Sequence, residues 1–487
     1  MSPAPSLSRH PYTSKSPRMN LLDLPPEILL IILSFLDREH DIYTLTLTTR
    51  TLHALATPHL YTNNSRHHSS TALLWAAEHD KQPTAQLSLR HGGNINTADR
   101  DGRTPLFCAT WNAHNDLARF LLRARRAEID VNAADTRGLT PLNYACMQGN
   151  VEIARLLLET GTADVNVHET GGLTPLASAA EIGNVPLVAM LLATEGINVN
   201  AADSIFARSP ICLAADCGSA DVVRMLLETG QVDLDANNWR IQASFFWAVE
   251  RGFDGVVRLL LQTGKVDVNA TFTSQGASAL CQAARNGRVA IVEMFLEFAF
   301  GNGGEAGGVQ FDVRDDSFQR TALGWAAHGG HGDVVGVLLA TGRVDVGARD
   351  GGGQTPLSLA AQYGHTRVVR MLLEAESTGA GVGDADSRSN NGRTPLSLAA
   401  QGGWHAVVTL LLETGKVDVN AADPECTRTP LSWAAGSGHV EVVQILLATG
   451  RVDANSRDGQ FQRTPLEWAA ENGYDAVVEL LEEDEPQ

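Results

Sequence analysis

Few residues in this chain have types and spacings that could do chemistry. The Gly-rich run GNGGEAGG at 301–308 could cradle a phosphate, but no Gly-Lys-Ser/Thr follows and no strand precedes it. It reads as a flexible inserted loop. His67-His68 could begin a metal site; no further ligand stands at suitable spacing, so the pair reads as solvated loop residues. Six cysteines, at 108, 146, 212, 217, 281 and 426, contain no CxxC pair, and most fall within or beside helical segments. They are expected to be free, reduced thiols of a cytoplasmic or nuclear protein. No nucleophile–base pair stands out, so the expectation is a non-enzyme with no catalytic residue, cofactor or metal. The remaining chemistry is adhesion. Phe206, Trp239, Phe272, Phe318 and Phe461 stand near Arg208, Arg240, Arg320 and Arg463 at expected hairpin tips, a combination enriched where interfaces draw their energy. Two readings are open: a recognition stripe for a protein substrate, or rings tucked under their own hairpins.

The positioning element is a repeated unit, seen most clearly from Thr429 to Arg463. Thr429 and Pro430 start a helix, the hydroxyl accepting an orphan N–H and Pro sitting where no donor is needed. Gly438 ends that helix. A second follows, with Val443, Leu446 and Leu447 on one face and Val442 and Ile445 beside them, so it must be covered from both flanks. Gly450 closes it, and Val452-Asp453 begins an extended return. Similar starts fall at Thr71, Thr104, Thr140, Thr174, Ser209, Ala243, Ser278, Thr321, Thr355, Thr394, Thr429 and Thr464, mostly 33 to 36 residues apart. Trp75, Trp247, Trp325, Trp433 and Trp468 share the fifth position of their units and read as core or groove-floor packing.

The period and the T-P-L-x-x-A-A start resemble the ankyrin repeat, from Thr71 to the end of the chain. The resemblance implies an all-α solenoid of about twelve helix-turn-helix repeats with hairpin loops, and a concave protein-binding surface. The His usual after TPL in the family is absent, with Ser358, Ser397 and Ser432 in its place. Gly-rich insertions lengthen the array near 299–310 and 376–391.

Residues 19–61 do not follow the repeat. Leu24-Pro25-Pro26-Glu27 opens a helix, and Ile28, Leu29, Leu30, Ile31, Ile32, Leu33 and Leu36 make it apolar on nearly every side. It is too short to span a membrane, and the segments Asp41–Leu47 and Thr51–Leu60 can cover only one side. This pattern resembles the F-box and looks like the F-box plus ankyrin proteins of the fungal type. The resemblance implies a small three-helix F-box module that docks on the adaptor subunit of a cullin-RING ubiquitin ligase. Leu24, Pro25, Ile28, Ile32, Leu33 and Leu36 occupy the matching places. The alternative is a non-catalytic ankyrin scaffold in which these helices only cap the array. Residues 1–18 read as a disordered tail, and 62–70 as a short polar linker.

Composition narrows the partners. A formal net charge of −19 over 487 residues, with no repeat rich in Lys and Arg, argues against nucleic acid. No apolar run is long enough for a bilayer. A protein that is monomeric before assembly, with protein partners alone, is expected.

Overall fold

Nine of the twelve first helices begin at a Thr or Ser whose hydroxyl accepts the backbone N–H three residues on: Thr104, Thr140, Thr174, Ser278, Thr321, Thr355, Thr394, Thr429 and Thr464. Each such cap contributes about 1 kcal/mol. The computed structural model describes residues 24–34, 36, 39–67, 70–235, 239–271, 276–301, 308–377 and 384–483. The tail at 1–18, Phe272 and the middle of both Gly-rich insertions lie outside the described residues.

Among the described residues there are twenty-seven helices and, in place of strands, one isolated bridge between Thr271 and Ser278. The first three are α1 (Pro26–Ser34), α2 (Glu39–Thr46) and α3 (Arg50–His67). The other twenty-four form twelve antiparallel pairs, beginning with α4 (Thr71–Glu78) and α5 (Gln82–Arg90) and ending with Pro465–Glu471 and Asp475–Glu483. The chain divides into two compact units, Met1–Phe206 and Ala207–Gln487.

Within each unit, first helices pack on first helices and second on second. The paired alanines of the repeat, such as Ala179-Ala180, Ala326-Ala327 and Ala399-Ala400, are fully buried there; a side chain of one methyl lets neighbouring first helices approach closely. The second helices bury Val and Leu on two sides, as Val442, Val443 and Leu446 show. Gly438 turns one helix into the next at φ 76°, and a Cβ there would come 2.5 Å from the Tyr474 ring of the following repeat. Gly450, at φ 61°, faces open space. The first glycine is needed for its conformation and its size, the second for conformation alone.

Side chains of other residues form bridges between repeats. In the first unit, Asn96 accepts the Asp130 N–H at 2.9 Å and donates to the Glu128 carbonyl at 2.7 Å. Asn132 and Asn166 repeat the arrangement. In the second, the Nε2 atoms of His331, His365 and His439 reach the carbonyls of Arg285, His328 and Gln401, in the repeat before, at 2.9–3.0 Å. Ser397 instead closes a capping box with Thr394.

Three expectations need correction. Lacking a Thr-Pro start, the sixth repeat begins its first helix at Trp239, not near Ala243, and runs to Arg251 without a break. Both insertions begin as extra helical turns, so that second helices extend to Gly301 and Ser377. The segment read as a linker is largely helix, because α3 continues through Pro58 to His67.

Candidate functional site

Two surfaces stand out, one at each end of the sequence. In the N-terminal helices, Leu33, Ile42 and Ala56 form a small buried core, with Leu36, Leu45, Leu55 and Leu60 packed around it. Because α1 is apolar on nearly every side, burying one face leaves another in solvent. Leu29 and Leu33 are buried, at 3% and 1% exposure, while Ile28 and Ile31 stand 42% and 53% exposed. Pro25 is exposed, and Leu24, Ile32 and Leu36 are half-buried. Of the six positions matched to adaptor docking, Leu33 is therefore a core residue that offers no surface, and Leu36 serves mainly the same core. Ile31, which the matched positions omit, is more exposed than Ile28.

The end of α3 has a different task. The Asn64 amide donates to Thr71 Oγ1 at 2.8 Å and its oxygen accepts the Ala72 N–H at 3.1 Å. Ser65 Oγ donates to the His91 carbonyl at 3.0 Å, and Ser70 Oγ accepts the Asn94 N–H at 3.0 Å. Three polar residues of the supposed linker, making four bonds, thus seat the end of α3 against the first repeat, closing the open end of the array. Capping falls to α3, and the exposed apolar face belongs to a different helix, α1.

In the second unit, the hairpins before Thr321, Thr429 and Thr464 place a buried Asp six residues ahead of the cap; those before Thr355 and Thr394 place an Asp or Ser five ahead. The extra residue gives Gln319, Thr427 and Gln462 a φ near 50–55°. The Asp carboxylate compensates. Asp458 Oδ1 accepts the N–H groups of Gln460 and Phe461 at 3.0 and 2.6 Å, and Oδ2 accepts the Arg463 N–H and the Trp468 indole at 3.2 and 2.7 Å. Burial pushes the Asp458 carboxyl up, but these donors, led by Phe461 and Trp468, outweigh it and hold the group below its ordinary range. Asp315 binds Phe318, Arg320 and Trp325 in the same way. Phe318 and Phe461 each meet their own Trp edge-on, at 5.6 Å between centroids.

The aromatic and arginine residues singled out by type therefore play several parts. Phe318 and Phe461 are exposed at hairpin tips while their edges contact Trp325 and Trp468, so both open readings hold in part. Arg320 is not a free recognition group: its guanidinium is buried and paired with Asp350 at 3.1 Å. Arg463 lies 4.7 Å over the Trp468 ring and is paired with Glu471, at 2.7 Å for one contact. Trp239 and Arg240 stack at 3.4 Å, but on the first turn of a helix and not on a tip. Phe206 is exposed at the last position of the first unit and Arg208 half-buried in the second.

The tryptophans once set aside as packing prove central. Arg393 and Arg428 lie 4.4 and 4.1 Å from the Trp433 centroid, and Arg428 is also 4.3 Å from Trp468. Together with Arg463 they form an alternating ladder across three repeats. The repeated spacing Asp315-Phe318-Arg320-Trp325 and Asp458-Phe461-Arg463-Trp468 was the sequence signal for this arrangement.

The thiols have no comparable setting. All six cysteines are free; burial pushes Cys108 and Cys146 up to about 12, leaving protonated, unreactive groups. Among the described residues no cluster of three or more His, Cys, Asp or Glu is placed to hold a metal. Residues 302–307 of the Gly-rich run lie outside those described.

A stacked array of helical pairs joined by hairpins, with a separate three-helix module ahead of it, defines a repeat protein built for binding. The family model for ankyrin repeats (three copies) matches residues 48–135, 126–203, 211–303, 302–386, 378–458 and 417–486, so the chain belongs to the ankyrin-repeat family. An F-box-like model matches residues 21–67, ending where α3 ends. Both are interaction modules and not catalytic ones. The chain is 40% identical over 67 residues to the 26S proteasome non-ATPase regulatory subunit 10 of Dictyostelium discoideum. That stretch is 14% of this chain and 28% of that protein.

Proposed function

We propose that the protein is a substrate-recognition adaptor of a cullin-RING (SCF-type) ubiquitin ligase, working in the cytoplasm or nucleus. Its F-box-like helices dock on the ligase adaptor subunit, and its ankyrin surface holds a protein substrate. The observation that carries this reading is α1, which keeps Ile28 and Ile31 in solvent although α3 already closes the array. Ligation itself belongs to the associated ubiquitin-conjugating enzyme. The contribution of this chain is proximity: substrate lysines held near the charged thioester react at a raised effective concentration. The bonds from Asn64, Ser65 and Ser70 to the first repeat support such a role, since they tie the docking module to the repeats beside it.

One observation favours a second reading. The seating of α3 on α4 and α5 is what an end cap requires, so a plain ankyrin scaffold would also use it. The two readings differ in the purpose of α1. Purifying the chain with and without Ile28→Asp and Ile31→Asp tests them: the adaptor subunit should accompany the native chain and be lost from the variant while the helical signal stays unchanged. An adaptor that follows both equally, or neither, would reject the ligase assignment and leave the scaffold.

A further inference from the structure

Five asparagines bridge successive hairpins on one plan. Asn96, Asn132 and Asn166 in the first unit, and Asn269 and Asn420 in the second, each accept a backbone N–H of the next hairpin and donate to the carbonyl two residues before it. For Asn420 these are the Asp453 N–H and the Arg451 carbonyl, both at 2.8 Å. For Asn269 they are the Gln310 N–H at 2.8 Å and the Gly308 carbonyl at 3.1 Å. The plan needs one acceptor and one donor on a single side chain, which a primary amide supplies.

At two junctions of the second unit an aspartate, Asp312 or Asp386, stands in place of the asparagine. Each still accepts the expected N–H. The Asp345 N–H reaches Asp312 Oδ1 and Oδ2 at 3.1 and 3.2 Å, and the Asp418 N–H reaches Asp386 Oδ2 at 3.1 Å. The donating half is missing, because an ionised carboxylate has only acceptors. In the same register the carbonyls two residues before are those of Arg343 and Lys416. The second oxygen of Asp386, Oδ1, is buried without a hydrogen bond.

A third aspartate shows what such a junction asks for. Asp235 holds the same place one hairpin before Asp267. There Gln242 Oε1 accepts the Asp267 N–H at 3.0 Å, and the Gln242 amide donates to the Asp267 carbonyl at 2.7 Å. A primary amide from another position makes both bonds.

The surrounding charges are few. Asp312 faces Asp345 and Arg314, and Asp386 faces Asp418, Asp384 and Arg388. Both arginines direct N–H groups elsewhere, Arg314 to the Arg349 carbonyl and Arg388 to the carbonyls of Gly392 and Ala422. Burial first, then the neighbouring aspartates, raise both carboxyls above the ordinary 3.8, against the N–H bonds and the arginines.

We propose that Asp312 and Asp386 are proton-operated latches between hairpins. Each carboxyl, when protonated, donates to the Arg343 or Lys416 carbonyl as the asparagine amides do, so that acid tightens these two junctions and ionisation loosens them. The contribution is fully present below the unfolded-state value and is lost as pH rises through the higher folded one. The hairpin of Asp312 also carries the exposed Phe318, so this latch governs how firmly that tip is presented. The inference does not depend on the ligase reading.

Hydrogen exchange of the full chain, resolved to single amides by mass spectrometry with electron-transfer fragmentation, tests it. Protection factors, which correct for the intrinsic pH dependence of exchange, are compared between about pH 7.5 and about pH 4.5. On acidification the Asp345 and Asp418 amides should gain about fivefold more protection than the Asp453 amide, whose junction Asn420 holds; that is the contribution of one hydrogen bond. Asp312→Asn with Asp386→Asn supplies the donor at every pH and should remove the extra gain, whereas Asn420→Asp should confer it on the Asp453 amide. Equal gains at the three amides of the native chain overturn the proposal, as does an extra gain that survives both asparagine substitutions. The comparison within the native chain decides even where a variant fails to fold.

Discussion

Replacing Ile28 and Ile31 together by Ala should weaken capture of the ligase adaptor subunit about 30-fold, while Leu33→Ala should unfold the module that carries them. The reasoning starts from exposure. Ile28 and Ile31 retain 42% and 53% of their surface, so docking can bury roughly half of each. Fully burying such a side chain is worth about 1.5–3 kcal/mol, which gives about 1 kcal/mol per residue and about 2 for the pair. At about 1.4 kcal/mol per factor of ten, that is a loss of about 30-fold in Kd. Leu33, at 1% exposure and packed against Ile42 and Ala56, has nothing left for a partner to bury. Its removal costs about 2–5 kcal/mol of folding stability. Titration calorimetry against the purified adaptor subunit reads the first quantity, and urea unfolding followed by circular dichroism reads the second. A double isoleucine variant that binds like the native chain would refute the assignment of α1 as the docking element. A stable, fully helical Leu33→Ala protein would refute the placement of the core.

Asp458→Asn exchanges an acceptor of four N–H donors for a group that is half donor; it should cost the last repeats about 1–3 kcal/mol and shift Trp fluorescence at lower urea. Because the Asp458 carboxyl is held below its ordinary value, its contribution is present above the unfolded-state value and lost as pH falls through the folded one. His328 has the same sign for a different reason: burial, then Arg320, His365 and Arg285, disfavour its charged form and hold its pKa below 6.5, so the unfolded chain takes up the proton first. Stability should fall as pH drops below about 6.5, and His328→Gln should flatten the difference in urea midpoint between about pH 7.5 and about pH 5.5. Gly438→Ala must fit a methyl group against Tyr474 in a left-handed turn, so its melting temperature should fall further than that of Gly450→Ala, which meets only the conformational penalty of about 1 kcal/mol.

The repeats were legible because their signals are local: a hydroxyl ahead of Pro, an alanine pair and a turn glycine each fix a few residues without reference to distant ones. Where a signal was missing, so was the boundary, as at Trp239. The orientation of α1 was not legible, since a helix apolar on every side carries no moment to say whether Leu33 or Ile31 faces inward; the positions of α2 and α3 decide it. Residues 62–70 misled for the opposite reason. Polarity suggested a loop, yet Asn63 and Asn64 are buried, and bonds to Thr71 and Ala72 satisfy the Asn64 amide. The ladder fell between these cases, written out in repeated Asp, Phe, Arg and Trp but readable only once the buried carboxylate was seen to tie the other three together.

Since α3 is at once part of the N-terminal module and the end plate of the array, the two cannot be cut apart cleanly. Trimming the chain at residue 70 would strip α4 and α5 of their lid and leave a raw apolar end, so poor solubility of such a fragment would say nothing about the lost docking helix. A truncation that starts at Arg50 removes α1 and α2 and keeps the lid. It is the fairer way to ask what the repeats do alone.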